Sequence, residues 1–256
     1  MSDSWKDAHL LLVGHGTARV EAGDGAVRRV AHALRDKGLF ASVQAAFWRE
    51  EPKVTAALFG PGLNYVVPLF AGHGKHTDTL IPEALGLSGP VTRRGGRTVV
   101  YCPPVGTHPR IPALIEHHAS IVCEENGVAP AKAALLLIAH GSQSSEGRSS
   151  ATPEAVGGTI RDRDIFAQVA VSYLEQTPYV RDWATAIEAC DVIAMPLLLS
   201  DGMHVNDDLP PLFGLNGPAG GPAMVGKHRV WLTGGIADDA VLEAMTLDLI
   251  RLAEAL

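Results

Sequence analysis

Four of the eleven histidines in this 256-residue chain recur at matched places. His15 lies in LLVGHGT and His140 in LLIAHGS; His76 lies in PLFAGHGKHTDTLIP and His204 in PLLLSDGMHVNDDLP. Neutral imidazole suits borderline divalent ions such as Co2+, Fe2+ and Ni2+, and its ordinary pKa of about 6.5 lets it take up a proton near neutrality. A carboxylate follows the same pattern in one half only: VAVSYLEQTPYV carries Glu175, whereas the matching VQAAFWREEPKV places Arg49 there, with Glu50 and Glu51 beside it. Two imidazoles brought together could share a metal ion or flank one substrate. Glycine next to the first histidine of each pair, Gly16 and Gly141, permits a tight turn and close approach of a flat ligand to the backbone.

These residues must be carried by elements that bring them together. Short apolar, β-branched runs at Leu10–Val13, Val43–Phe47, Tyr65–Phe70 and Thr98–Tyr101 read as strands. Gly25–Lys37, Pro52–Leu58, Thr79–Leu85 and Ile111–Glu125 read as the helices between them. The order restarts after a Val-Ala-Pro-Ala-Lys linker near Val128, with strands near Ala134–Ile138, Val169–Tyr173, Val192–Leu199 and Arg229–Leu232 and a last helix over Ala240–Ala255. The copies align almost without gaps. Their offset drifts only from 125 to 131 residues, and each second histidine lies eight residues after one proline and six before another. The chain therefore reads as a duplicated α/β unit, 1–128 and 129–256, each lobe a four-stranded parallel sheet with helices on both faces. In a flavodoxin-like 2-1-3-4 order, strands 1 and 3 are neighbours about 4.8 Å apart. Their C-terminal ends would then bring the two histidines of each lobe to one rim, with the lobes facing each other across a cleft.

Composition narrows the partners. Hydrophobic residues make up 46% and charged residues 19%, enough apolar material for a real core. Net charge is −7 with no basic tract, which argues against a nucleic-acid partner. No apolar run approaches the roughly 20 residues that cross a bilayer, and the N-terminal residues lack a secretory pattern, so a cytoplasmic location without membrane contact is expected. Cys102, Cys123 and Cys190 form no CxxC pair; Cys102 and Cys190 beside apolar strands read as buried, inert thiols. No GxxxxGK(S/T) loop is present, so neither ATP nor another nucleotide cofactor is expected.

An apolar strand ending in HG(S/T), then (F/Y)LE…P, then PL(F/L)…GxH…(I/L)P resembles the class II chelatases, the sirohydrochlorin cobaltochelatases and ferrochelatases, in their long two-lobed form. The resemblance spans nearly the whole chain. It implies a chelatase-like fold and insertion of Co2+ or Fe2+, with Ni2+ a third candidate, into sirohydrochlorin or a close relative, on the route to cobalamin or sirohaem. Two histidines and a glutamate would bind the metal and accept pyrrole protons. Carried over, the resemblance assigns His140, His204 and Glu175 as catalytic and metal-binding. His15 and His76 then form a second metal pair or join Arg49 and Ser142 in holding the carboxylate-fringed macrocycle. The first half departs from the pattern at Arg49 and at Leu80, which stands where Asp208 does; the second half is therefore expected to carry the chemistry. Two other readings remain open: a tetrapyrrole- or metal-binding protein without turnover, and a histidine-dependent phosphatase. The latter would need an arginine just before the nucleophilic histidine, where this chain has Gly14 and Ala139.

Overall fold

The computed structural model describes residues 5–16, 25–142, 148–197, 208–217 and 219–255. The apolar runs form two sheets of identical plan. In the first, β1 (His9–Gly14), β2 (Ser42–Phe47), β3 (Gly62–Pro68), β4 (Val91–Arg94) and β5 (Arg97–Tyr101) lie in the order β2-β1-β3-β5-β4. In the second, β6 (Ala133–Ala139), β7 (Gln168–Tyr173), β8 (Asp191–Pro196), β9 (Gly220–Val225) and β10 (His228–Leu232) lie in the order β7-β6-β8-β10-β9. All pairings are parallel except those of β4 and β9. Central strands β1 and β6 are almost wholly buried, as sheets covered on both faces require.

The four expected parallel strands per lobe are present in the expected order, and each sheet gains a fifth, antiparallel edge strand. Neither edge strand carries the apolar alternation that marks a strand in sequence: β4 is Val-Thr-Arg-Arg, and β9 opens on Gly-Gly-Pro. Both are specified by the hairpin that joins them to β5 and β10. The expected helix Pro52–Leu58 is only a 3-10 turn at Ala56–Leu58, begun by Thr55 and ended by the extended Phe59. The helix expected at Thr79–Leu85 is a π-turn, His76–Leu80, running into a short α2 (Ile81–Leu85).

The packing units differ from the repeat units. One compact unit contains Met1–His108 with Ala237–Leu256, the other Pro109–Ile236. The last helix of each repeat therefore belongs to the other repeat's sheet. Helix α3 (Ile111–Glu125) packs on β8 and on α4 (Arg148–Arg161), while α6 (Asp239–Glu254) packs on β3 and on α1 (Gly25–Asp36). Polar contacts hold α6 in place: Arg29 pairs with Asp239 and Lys37 with Glu243, while Glu254 accepts from Trp5 Nε1 at 2.8 Å and from the Tyr65 hydroxyl at 2.5 Å. For α3, the buried Glu116 carboxylate pairs with Arg163.

Among the thiols, Cys102 and Cys123 are buried, and burial pushes the Cys102 thiol up to about 12. Cys190 is exposed rather than buried, because the chain leaves the core just before β8. One thiol per chain should therefore react quickly with an aryl disulfide reagent in the folded protein, and three after unfolding. Two or more fast thiols before unfolding would contradict this packing. Among the described residues, no helix is long and apolar enough to cross a membrane.

Candidate functional site

The C-terminal ends of three adjacent strands build each candidate site. In the first unit Gly14 lies opposite Phe47, and Val13 opposite Pro68. In the second, Ala139 lies opposite Tyr173, and Ile138 opposite Pro196. The chain leaves each rim in the same way. Arg49 N–H donates to the His15 carbonyl (2.8 Å), and Glu175 N–H donates to the His140 carbonyl (3.0 Å). The sequence alignment of Arg49 with Glu175 is thus a structural equivalence.

The glycine after each histidine is required twice over. Gly16 and Gly141 have φ of +71° and +73°. A Cβ on Gly16 would stand 2.9 Å from Phe47 Cβ, and one on Gly141 would stand 3.0 Å from Tyr173 Cβ, atoms fixed by the neighbouring strand. Each turn also orients its histidine. His15 Nδ1 lies 3.0 Å from the Gly16 carbonyl, and His140 Nδ1 lies 3.1 Å from the Gly141 carbonyl. A carbonyl only accepts, so Nδ1 is the donor in both rings, and Nε2 is the ring atom suited to accept a proton or bind a metal.

In the first unit, the structure brings His15 and His76 together, with ring centroids 4.9 Å apart. Phe70 lies against both rings, and Trp48 stands edge-on to His76 at 5.8 Å. Burial, then His15, then the Arg49 and Lys75 charges hold the His76 imidazole below its ordinary pKa, so it is neutral near pH 7. Glu50 and Glu51 do not replace the missing carboxylate. Glu50 pairs with Arg28, which also stacks on Phe47, and Glu51 Oε2 accepts from the Lys53 amide. The first-unit site is therefore an aromatic box with cationic groups beside it. Trp48 and Phe70 carried no signal in sequence beyond their apolar type.

In the second unit, His140 Nδ1 lies 3.7 Å from Glu175 Oε2, and both side chains are open to solvent. Ser142 presents its backbone amide, which donates to Gln176 Oε1 (2.8 Å); Ser149 Oγ donates to the same oxygen (3.1 Å). Gln176 was not anticipated, although its place beside Glu175 could have drawn attention. His204, Ser144, Ser145 and the Arg148 side chain lie outside the described residues. Among the described residues, no group of three His, Cys, Asp or Glu side chains comes together.

The remaining histidines separate from these sites. His73 is exposed and pairs with Asp78, while His108 is buried, with Nε2 4.0 Å from Asp248. His228 is a core residue against Trp183, its two nitrogens near the carbonyls of Ala189 and Ala184.

Two duplicated, mostly parallel α/β units with histidines at the C-terminal rim define a chelatase-like protein. The CbiX family model matches residues 9–121 and 134–250, and the chain belongs to that family. A protein named probable sirohydrochlorin cobaltochelatase, from Halobacterium salinarum, is 30% identical over 264 residues, covering 91% of this chain and 89% of the relative. Among solved structures, a multi-domain protein of Deinococcus radiodurans described as structurally similar to chelatases superposes with a TM-score of 0.72 and 27% identity over 95% of this chain. This chain spans about half of that protein, 54% of its length. CbiX, described as the terminal enzyme of sirohaem biosynthesis in denitrifying bacteria, shares the fold at a TM-score of 0.68 and 20% identity, covering 96% of this chain and 99% of the other. With the family established, the phosphatase reading has no support.

Proposed function

We propose that this chain inserts a divalent metal ion, Co2+ first and Fe2+ second, into sirohydrochlorin in the cytoplasm, and that the second-unit residues His140, Glu175 and His204 carry the reaction. Family membership and the cobaltochelatase relative support the reaction class. The placement in the second unit rests on one observation: His140 stands beside the Glu175 carboxylate there, whereas Arg49 occupies the corresponding position in the first unit.

The chemistry follows from these groups. Metalation removes two pyrrole N–H protons and strips water from the ion. His140 Nε2 and Glu175 hold the incoming metal, with His204 completing an open set that leaves positions for the ring nitrogens. As the ring nitrogens take the ion, His140 and Glu175 release it and accept the two pyrrole protons, one each. In this reading His15, His76 and Arg49 are the substrate-holding residues of the first unit, and Ser142 is that of the second. The first-unit aromatic faces suit a flat ring, and the Arg49 guanidinium suits its carboxylates.

Sirohydrochlorin mixed with Co2+, Fe2+ or Ni2+ and followed by visible absorption tests the proposal. The chain should accelerate metalation well above buffer, most with cobalt. A bound tetrapyrrole spectrum without faster metalation would favour a carrier instead.

A further inference from the structure

The segment that carries His76 contains a buried carbonyl that its own helix cannot satisfy. In the π-turn His76–Leu80, the Ile81 N–H donates to the His76 carbonyl. The next carbonyl, Thr77 O, would need the N–H of residue 82 to continue this pattern. That residue is Pro82, which has none. Thr77 is buried, so water offers no easy replacement. The donor comes from the strand beside β3: the Tyr101 hydroxyl, at the end of β5, donates to Thr77 O at 2.7 Å. Burial and the nearby Asp78 push the Tyr101 phenol far above its ordinary value, so it remains a donor at every working pH.

The rest of the turn is tied down from the same residues. Thr77 Oγ accepts from the Gly74 amide at 3.0 Å and lies 2.9 Å from Asp78 Oδ1, while His73 Nδ1 lies 2.8 Å from that same oxygen. The second repeat has none of these groups: Asp201, Val205 and Asn206 stand at the places of His73, Thr77 and Asp78. Strand register shows the same for the tyrosine. Val66 lies opposite Tyr101, and its counterpart Ala194 lies opposite Leu232. The tether therefore belongs to one repeat and is not a general requirement of the fold.

We infer that Tyr101 is a positioning residue for His76. Its hydroxyl caps the Thr77 carbonyl and so sets how the His76 ring stands against His15, Phe70 and Trp48. The effect on substrate rests on the proposed role of His76 in holding it; the effect on the ring does not.

Tyr101→Phe keeps the ring volume and removes only the hydroxyl, and Thr77→Val removes the second set of turn bonds while keeping the shape. The His76 ring protons, assigned by their loss in His76→Gln, report the ring currents of Phe70 and Trp48 by NMR. Both variants should fold with near-native melting, shift the His76 ring signals and leave those of His140 in place. Sirohydrochlorin, measured without metal, should then bind about fivefold more weakly, the effect of one hydrogen bond. Unmoved His76 signals in folded Tyr101→Phe would overturn the positioning role. Moved signals with unchanged sirohydrochlorin affinity would leave that role standing and remove His76 from the substrate site. If Tyr101→Phe fails to fold, Thr77→Val decides by the same signals.

Discussion

His140→Ala is expected to slow cobalt insertion about 100-fold or more while leaving the fold and sirohydrochlorin affinity near native. The substitution deletes the imidazole whose Nδ1 faces the Gly141 carbonyl, and with it a metal ligand and a proton acceptor in one group. A positioned general base alone contributes about 100- to 10,000-fold. Glu175→Gln should give a loss of similar kind, since the amide neither balances a metal's charge nor accepts a proton. His15→Ala should behave differently. Its ring belongs to the aromatic box of the first unit, where Arg49 replaces the carboxylate, so weaker substrate binding with a roughly unchanged maximal rate is expected. Initial rates over a range of sirohydrochlorin concentrations separate the two. The opposite pattern, with His15→Ala losing the maximal rate and His140→Ala losing affinity, would exchange the roles of the units.

Gly106→Ala should destabilise the protein by about 3 kcal/mol, the upper end of what overpacking one small group costs. The glycine sits in the turn after β5, where its amide donates to the Phe70 carbonyl at 2.9 Å. A Cβ there would stand 2.1 Å from Ala71 O and 2.3 Å from Ala71 C. Those are backbone atoms, so no rotamer change relieves the overlap and the segment from Phe70 must move. That segment leads into His76, so sirohydrochlorin affinity should fall together with stability. Gly95→Ala is the control. It lies in the β4–β5 turn with φ of +57° and open space around it, so only the left-handed backbone penalty of about 1 kcal/mol applies. Urea unfolding of both variants provides the comparison. Equal losses would mean that the close approach at Ala71 carries no special cost.

The parts of this protein legible in sequence were those written along the chain. The duplication, the succession of strands and helices along the chain and the histidine after each first strand all follow from period and spacing. A buried strand is a short apolar run whichever neighbour it meets. The His-Gly pair could also be read, because a left-handed turn selects glycine locally.

Partner choice was not legible, because it depends on which surfaces meet in space. Helices α3 and α6 look like ordinary last helices of their repeats, and their apolar faces would fit either sheet; packing assigns each to the other repeat's unit. Nothing in the sequence shows that Glu50 and Glu51, next to Arg49, are taken up by Arg28 and the Lys53 amide. The Tyr101 hydroxyl meets Thr77 across 24 residues. Strand and turn tendencies act over a few residues and leave a trace in sequence. A hydrogen bond or ion pair between distant segments leaves none until burial removes the competing water and makes one partner decisive.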